Sequence, residues 1–446
     1  MTDITNELLA KYSDRLDTRA CSIARGAIED GYTLLAEHLD EGVWLVAADV
    51  NTWRVAGEQV AAMLDEAGQA WERFEVPMPD EGDPICNDEL VGAYQTALAE
   101  VDAAAGLAVG SGTINDTVKL ASHRAGVPMA VIGTAPSMNG YNSAIAAVLS
   151  DGVKTTTSCT APRVVIADLD VMAEAPYRMI ASGLGDLMSK PVSNSDWRLS
   201  ARLNGTFHSA EAMEIIEEGA RKLEGVAEKL PERDREATRG LLESLMLSGI
   251  AMSVAGSSSP ASGGEHLISH FIDMEAYAFG KPHDFHGCQV GVGTLTTALL
   301  YEKLREIDPA AIDIDARVDA LPAWDDYEAM LRERFGTLFD AVVKHARPGY
   351  PSPEELRGRL TKLVDEWDLV MDEVRATLRS RQSLEDELRS ANCPVRFADL
   401  GVERERARRA ITHSKDIRNR YTILHLAWEL GTLEAWADEA IDALYA

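Results

Sequence analysis

The sequence predicts an α/β N-terminal domain with a parallel, Rossmann-like sheet, spanning residues 1–174, followed by an all-α C-terminal domain spanning residues 175–446. Two observations predict it: short apolar runs alternate with helical stretches up to about Ala175, and beyond that point the β signal disappears. Repeated βα alternation with short connections requires a parallel sheet, because each crossover helix must return the chain to the same edge. The elements follow in order. GVWLVAA (Gly42 to Ala48) reads as a strand, RVAGEQVAAMLDEAGQAW as a helix and FEVPM as a strand. A helix covers Asp88 to Val101, GLAVGSG is a strand entering a turn, and a helix begins near Ile114. MAVIG from Met129 and VVIAD (Val164 to Asp168) are further strands, the latter with the polar TTTSCT run before it as a candidate partner.

Past Ala175, apolar residues recur at three- and four-residue steps, as amphipathic helices require. EAMEIIEEGARKLEGVAEKL and REATRGLLESLMLSGIAMSVAG carry the pattern, and several further segments repeat it. The charged helices from Pro351 to Ser390 read as a solvated rim, with an oligomer-contacting helix as the alternative.

Composition narrows the function. With 46% hydrophobic and 26% charged residues, the 446-residue chain can bury substantial cores, which excludes a disordered protein. Lys+Arg 43 against Asp+Glu 73 gives a net charge of -30, a field that repels nucleic acid and anionic lipid surfaces. The five cysteines are scattered and form no CxxC pair, so a disulfide framework and a thiolate zinc cluster are both disfavoured and a reducing cytoplasm is expected. No run approaches the ~20 apolar residues of a membrane span, so no membrane insertion is expected.

LAVGSGTINDTVKLASHRAGVP sets Gly110-Ser111-Gly112-Thr113 between a strand and a helix. Such a turn lets the backbone approach a pyrophosphate while the helix N-terminus offers unpaired N–H groups. The third glycine of GxGxxG is missing, so an ordinary strand-to-helix turn is an equal reading. Thr134-Ala135-Pro136-Ser137 is a second small-residue turn expected at the same carboxyl edge of the sheet. Asp49, closing the first strand, suits either a ribose contact or a helix cap.

Three stretches carry the remaining chemistry: GLGDLMSKPVSNSDW, SSPASGGEHLISHF and GKPHDFHGCQVGVG. His266 and His270 stand four apart on one helix face, His286 begins another helix, and Asp186 lies beside Gly185. One carboxylate with imidazoles from separate helices suits a divalent ion with open coordination positions. His208 and His283 fall in the same region, and each single histidine also has an ordinary reading as a core or cap residue. Lys190, four residues after Asp186, either reaches the same cleft or is a solvated lysine stopped by Pro191. Arg418 and Arg420 could meet a substrate phosphate, although a structural ion pair suits them better.

GSGTINDTVK, TAPSMNGYNSAIAAVLSDGVKTT, APRVVIADLDVMAEAPYRMIASGLGDLMSK, GGEHLISH and HGCQVGVGT, in that order, resemble the sn-glycerol-1-phosphate dehydrogenase family. That family is related to the iron-containing alcohol dehydrogenases and to dehydroquinate synthase. The likeness runs from about Trp44 to Leu430 and implies a dehydroquinate synthase-like fold. It implies that Gly112, Thr113, Ile114, Asn115 and Asp116 hold the pyrophosphate of NAD or NADP, that Thr134, Ala135, Pro136, Ser137 and Ser143 line the cofactor, and that Asp49 meets its adenosine ribose. It further implies Asp186, His266 and His286 as ligands of one divalent metal, zinc first, with nickel or iron as alternatives, and Asp186 and His270 as catalytic groups touching substrate. Asn139 departs from the family pattern: it replaces the usual aspartate that contacts a substrate hydroxyl, and Asn142 replaces a small residue. An amide is neutral and both donates and accepts, so the substrate contact at Asn139 changes character.

The implied reaction is NAD(P)-linked reduction of a small phosphorylated ketone, such as dihydroxyacetone phosphate, to sn-glycerol 1-phosphate or a close analogue. Lys190 is the candidate phosphate partner and a homo-oligomer is expected. The alternative is a sugar-phosphate cyclase of the dehydroquinate synthase type, which uses NAD transiently and releases it unreduced. A catalytically silent binding protein is a third reading, opposed by the presence of Gly112, Asp186, His266 and His286.

Overall fold

The computed structural model describes residues 3–79, 82–150 and 153–445, so Asp151 and Gly152 of the second motif lie outside it. The described residues form eight strands: β1 (Ala20–Ala24), β2 (Val43–Ala48), β3 (Trp71–Glu75), β4 (Ala103–Gly110), β5 (Met129–Gly133), β6 (Ile145–Ser150), β7 (Val153–Ser158) and β8 (Val164–Asp168). Six form a parallel sheet in the order β1-β8-β5-β4-β2-β3. Its central strands are continuous apolar runs because both faces are buried: every residue of β5 and of β8 is buried. Trp44, Val46, Leu107, Val109, Ala130, Ile132, Val164 and Ile166 form the core of one face.

Two expectations need correction. The TTTSCT stretch does not pair with VVIAD; its first four residues lie in β7, which pairs with β6 in a separate two-stranded sheet, while β8 is flanked by β1 and β5. The FEVPM strand begins earlier, at Trp71, as the edge strand β3, whose solvent-facing Glu72, Arg73 and Glu75 dilute the apolar signal. Charged side chains on such an edge also discourage pairing with another chain.

Helices begin and end where local chemistry dictates. Asp234 accepts from the Ala237 N–H to start Arg235–Ala255, and Gly256, at φ +64°, ends it. Gly126 at φ +74° ends Gly112–Ala125 in the same left-handed conformation, which costs glycine little. The charged stretch from Pro351 to Ser390 forms three helices, the first opened by a Ser352/Glu355 capping box. Its Leu356, Leu360 and Leu363 are buried, and Arg202 pairs with Glu366 and Glu373.

The described chain divides into two compact units. One comprises residues 1–150, 154–187 and 211–258; the other comprises 151–153, 188–210 and 259–446. Residues 177–187 and 211–258, beyond the expected division at 174, therefore cluster with the sheet. Among the described residues, no helix is long and apolar enough to cross a membrane.

Candidate active site

The strand order places a switch between β2 and β4: the chain leaves β2 toward β3 on one side and resumes at β4 on the other. Ligands of open α/β sheets bind outside the carboxyl ends of the strands at such a point. Asp49 follows β2 there, Gly110 ends β4, and Thr134 follows β5. Ser111 precedes the helix Gly112–Ala125 with extended backbone. Gly110 is required by crowding, since a Cβ there would fall 2.6 Å from Ile114. Gly112 is not crowded: its Cβ would meet nothing closer than Met138 at 3.7 Å, so a ligand backbone has room to approach. The two turns are tied together by a 2.5 Å contact between the Ser111 and Ser137 hydroxyls and by the Thr134 N–H donating to the Gly110 carbonyl.

Asp49 is a helix cap, its Oδ1 accepting from the N–H groups of Asn51 and Thr52 at 2.8 and 2.7 Å, while Oδ2 takes part in neither bond. The Asp116 carboxylate is committed to the protein: Oδ1 accepts from Lys119 and from Asn115, and Oδ2 from the Ala147 N–H. Ile114, Asn115 and Ser143 are buried, and the Thr113 hydroxyl donates to the Pro84 carbonyl. What this turn offers a ligand is thus its backbone more than its side chains. Lys119, fully buried, donates to the Gly140 carbonyl at 2.8 Å, and Ser143 Oγ donates to the same oxygen, anchoring the loop that carries Asn139.

Asp186 lies in the last turn of the helix Tyr177–Leu187 and is buried. Gly183 brings that helix against the Thr134–Ser137 turn; a Cβ there would lie 1.8 Å from the Pro136 carbonyl oxygen. Ser182 Oγ donates to the Ser137 carbonyl and fixes the same contact. Asn139 then reaches Asp186 twice, its backbone N–H donating to Oδ2 at 3.0 Å and its side-chain amide to Oδ1 at 3.1 Å. An aspartate at this position would keep the backbone bond and lose the side-chain one, since a carboxylate has no N–H to give. Asn142 is a packing residue, bonded to the Met246 carbonyl and seated on Gly249, whose Cβ would fall 1.9 Å from Asn142 Oδ1.

His266 and His270 share the helix Gly264–Phe279, and His286 opens the helix His286–Leu304. Gly293 lets these helices approach, since a Cβ there would sit 2.7 Å from the Glu265 carbonyl. The three imidazoles consequently converge, with ring centroids 6.1 Å apart for His266 and His270, 5.2 Å for His266 and His286, and 5.4 Å for His270 and His286. Glu265 bonds His266 Nδ1 at 2.8 Å, and Ser269, itself bonded by Gln289, contacts His286 Nδ1 at 3.1 Å. Sequence reasoning missed these supporting residues, although Glu265 stands in the quoted GGEHLISH stretch.

Donor atoms of Asp186, His266 and His286 lie within 4.8 Å of one another, a separation one ion can span. The donor set fits: one carboxylate oxygen with two imidazole nitrogens is a borderline ligand set suited to zinc, nickel or iron. His208 stands apart, packed 4.5 Å from the Trp197 ring, and His283 lies against Tyr277. Lys190 is neither solvated nor on the Asp186 helix: the chain breaks after Leu187, and its buried ammonium donates to Ser189 Oγ and the Ala261 carbonyl. Arg420 donates to the Ser262 carbonyl, and burial, with Arg420 beside it, holds the Arg418 guanidinium down to about 9.

The iron-containing alcohol dehydrogenase family profile matches residues 22–176. A glycerol-1-phosphate dehydrogenase [NAD(P)+] of Bacillus subtilis is 30% identical over 389 residues, covering 87% of this chain and 86% of the relative. This chain belongs to the glycerol-1-phosphate dehydrogenase family. A Methanosarcina barkeri relative of the same name is 32% identical over 354 residues, covering 77% of this chain and 94% of that one. Among solved structures, a probable glycerol dehydrogenase from Sinorhizobium meliloti aligns with TM-score 0.60 at 18% identity over 95% of this chain and 98% of that one, a likeness of fold. The chain is an oxidoreductase of the metal- and NAD(P)-dependent dehydrogenase type, and the cyclase alternative finds no support among glycerol-1-phosphate dehydrogenase relatives.

Proposed function

We propose that the chain reduces dihydroxyacetone phosphate, or a close phosphorylated ketone, to sn-glycerol 1-phosphate or its analogue. The observation carrying this reading is the convergence of the Asp186, His266 and His286 donors in a member of this family. These residues would hold one divalent ion, with zinc the first candidate and nickel or iron behind it. Such an ion supplies Lewis-acid polarisation of a carbonyl oxygen, and the reduced nicotinamide supplies hydride.

The remaining roles belong to the chain. The backbone N–H groups of Gly112 to Asp116 would receive the pyrophosphate at the helix N-terminus, with Thr134 to Ser137 lining the dinucleotide. His270, on the same helix as His266, would orient the ketone and deliver the proton its oxygen needs, an imidazole being suited to transfer near neutral pH. Asn139 acts on Asp186 and is not a direct hydroxyl contact, which its two bonds to that carboxylate support. Lys190 stays the candidate partner of the substrate phosphate, although its ammonium also donates to Ser189 Oγ and the Ala261 carbonyl. A homo-oligomer completes the reading, and a cytoplasmic location is in keeping with five buried cysteines that form no disulfide.

The test is a screen of phosphorylated ketones with NADH and NADPH after metal removal and selective reloading. Stoichiometric oxidation of the nicotinamide with dihydroxyacetone phosphate is expected; activity confined to unphosphorylated ketones would defeat the substrate assignment. Asp49 favours NAD, because its free oxygen suits a ribose hydroxyl and repels a 2′-phosphate. Asp49→Asn keeps an oxygen for the cap while removing the charge. It is expected to raise kcat/KM with NADPH relative to NADH by about tenfold. An unchanged ratio would separate Asp49 from the ribose.

A further inference from the structure

We infer that Glu265 is the positioning residue of the metal centre, holding His266 with its proton on Nδ1 and its Nε2 lone pair presented to an ion. The inference rests on the metal reading proposed above.

Glu265 is wholly buried at the start of the helix Gly264–Phe279. Its Oε1 accepts from the Gly263 N–H at 2.7 Å and lies 2.8 Å from His266 Nδ1. Oε1 already accepts the Gly263 N–H, and the same oxygen acting as acceptor toward the ring sets the imidazole proton on Nδ1 and the lone pair on Nε2. The support of His286 differs in kind. Ser269 can donate or accept, and Gln289, which bonds it, also donates to Asp273 at 2.8 Å, so that network does not by itself fix a tautomer.

The surroundings are built to keep Glu265 in place. Gly263 has no side chain, and a Cβ there would fall 2.8 Å from Glu265 Oε2 and 2.5 Å from Asp196 Oδ2. Asp196 accepts from the Gly264 N–H at 2.7 Å, from the Tyr301 hydroxyl at 2.6 Å and from the Ile423 N–H at 2.7 Å, tying the helix start to two other segments. Burial, with the neighbouring charge of Glu265, pushes the Asp196 carboxyl up to about 7. Arg420 is the nearby cation; burial pulls its guanidinium below the ordinary range, against the opposing pull of Glu265 and Asp196. Two buried carboxylates side by side are costly. An arrangement serving packing alone would use apolar side chains, whereas a carboxylate on an imidazole Nδ1 orients a metal ligand and raises its basicity.

The test compares zinc affinity, by chelator competition, and thermal midpoint for the full chain and for Glu265→Ala and Glu265→Gln. Glu265→Ala is expected to lose about 10–100-fold in zinc affinity, with turnover largely recovered at saturating zinc. Glu265→Gln keeps an acceptor for Nδ1 and is expected to lose less, roughly three- to tenfold, because a neutral amide raises ligand basicity less. If Glu265→Ala fails to fold, the Gln variant decides. A folded Gln variant with unchanged zinc affinity overturns the inference while leaving the metal reading intact. An unaltered chain that binds no zinc, nickel or iron overturns both.

Discussion

Asp186→Ala is expected to yield a folded protein that purifies without stoichiometric metal and turns over at least about a thousandfold more slowly, a loss near 4 kcal/mol in the barrier. The side chain is buried, and its two oxygens accept from the backbone and side chain of Asn139. Truncation removes the sole carboxylate from the donor group, leaving His266 and His286, which would hold a divalent ion far more weakly. Metal analysis and the nicotinamide assay on one preparation check it, with circular dichroism as the fold control. Full metal and full turnover in Asp186→Ala would remove the proposed site. The predicted loss exceeds that for Asn139→Ala, because Asn139 only steadies the carboxylate.

The second large effect concerns a residue with no chemistry of its own. Gly183→Ala should improve the helix by about 0.8–1 kcal/mol on propensity alone. The tertiary contact reverses the sign. The added Cβ would lie 1.8 Å from the Pro136 carbonyl oxygen, a backbone atom that cannot swing aside. Helix or turn must therefore move, at a cost of about 3 kcal/mol or more. The same movement would break the Ser182 to Ser137 bond and displace Asp186 one turn along the helix. A clear fall in thermal midpoint together with weakened NAD(P) binding is expected. An Ala variant with an unchanged midpoint would mean that the turn tolerates displacement.

Asn139 illustrates how far motif reasoning reaches. The departure from the family's aspartate is visible in one line of sequence, and its neutrality points to altered chemistry. Its partner is not visible there, because Asp186 lies 47 residues away. Asn142 and Gly249 are a similar pair: each is ordinary alone, and the 1.9 Å clearance that makes them interdependent exists only once the helix Arg235–Ala255 packs on the loop.

Alternation of apolar runs and helical stretches was enough to determine the parallel sheet, its glycine turn and the helical character of the second half, because side-chain periodicity and backbone stereochemistry are local properties. The motifs also singled out Asp186, His266 and His286 as candidate ligands, whose donor atoms lie within 4.8 Å of one another. Tertiary structure alone decided that β1 and β8 are neighbours, that β7 pairs with β6, and that residues 177–187 and 211–258 cluster with the sheet. It also decided that Lys190 is engaged inside the protein and that Glu265 holds His266. These outcomes depend on which distant surfaces meet and how closely a missing Cβ lets them approach, and spacing along the chain carries no measure of that distance.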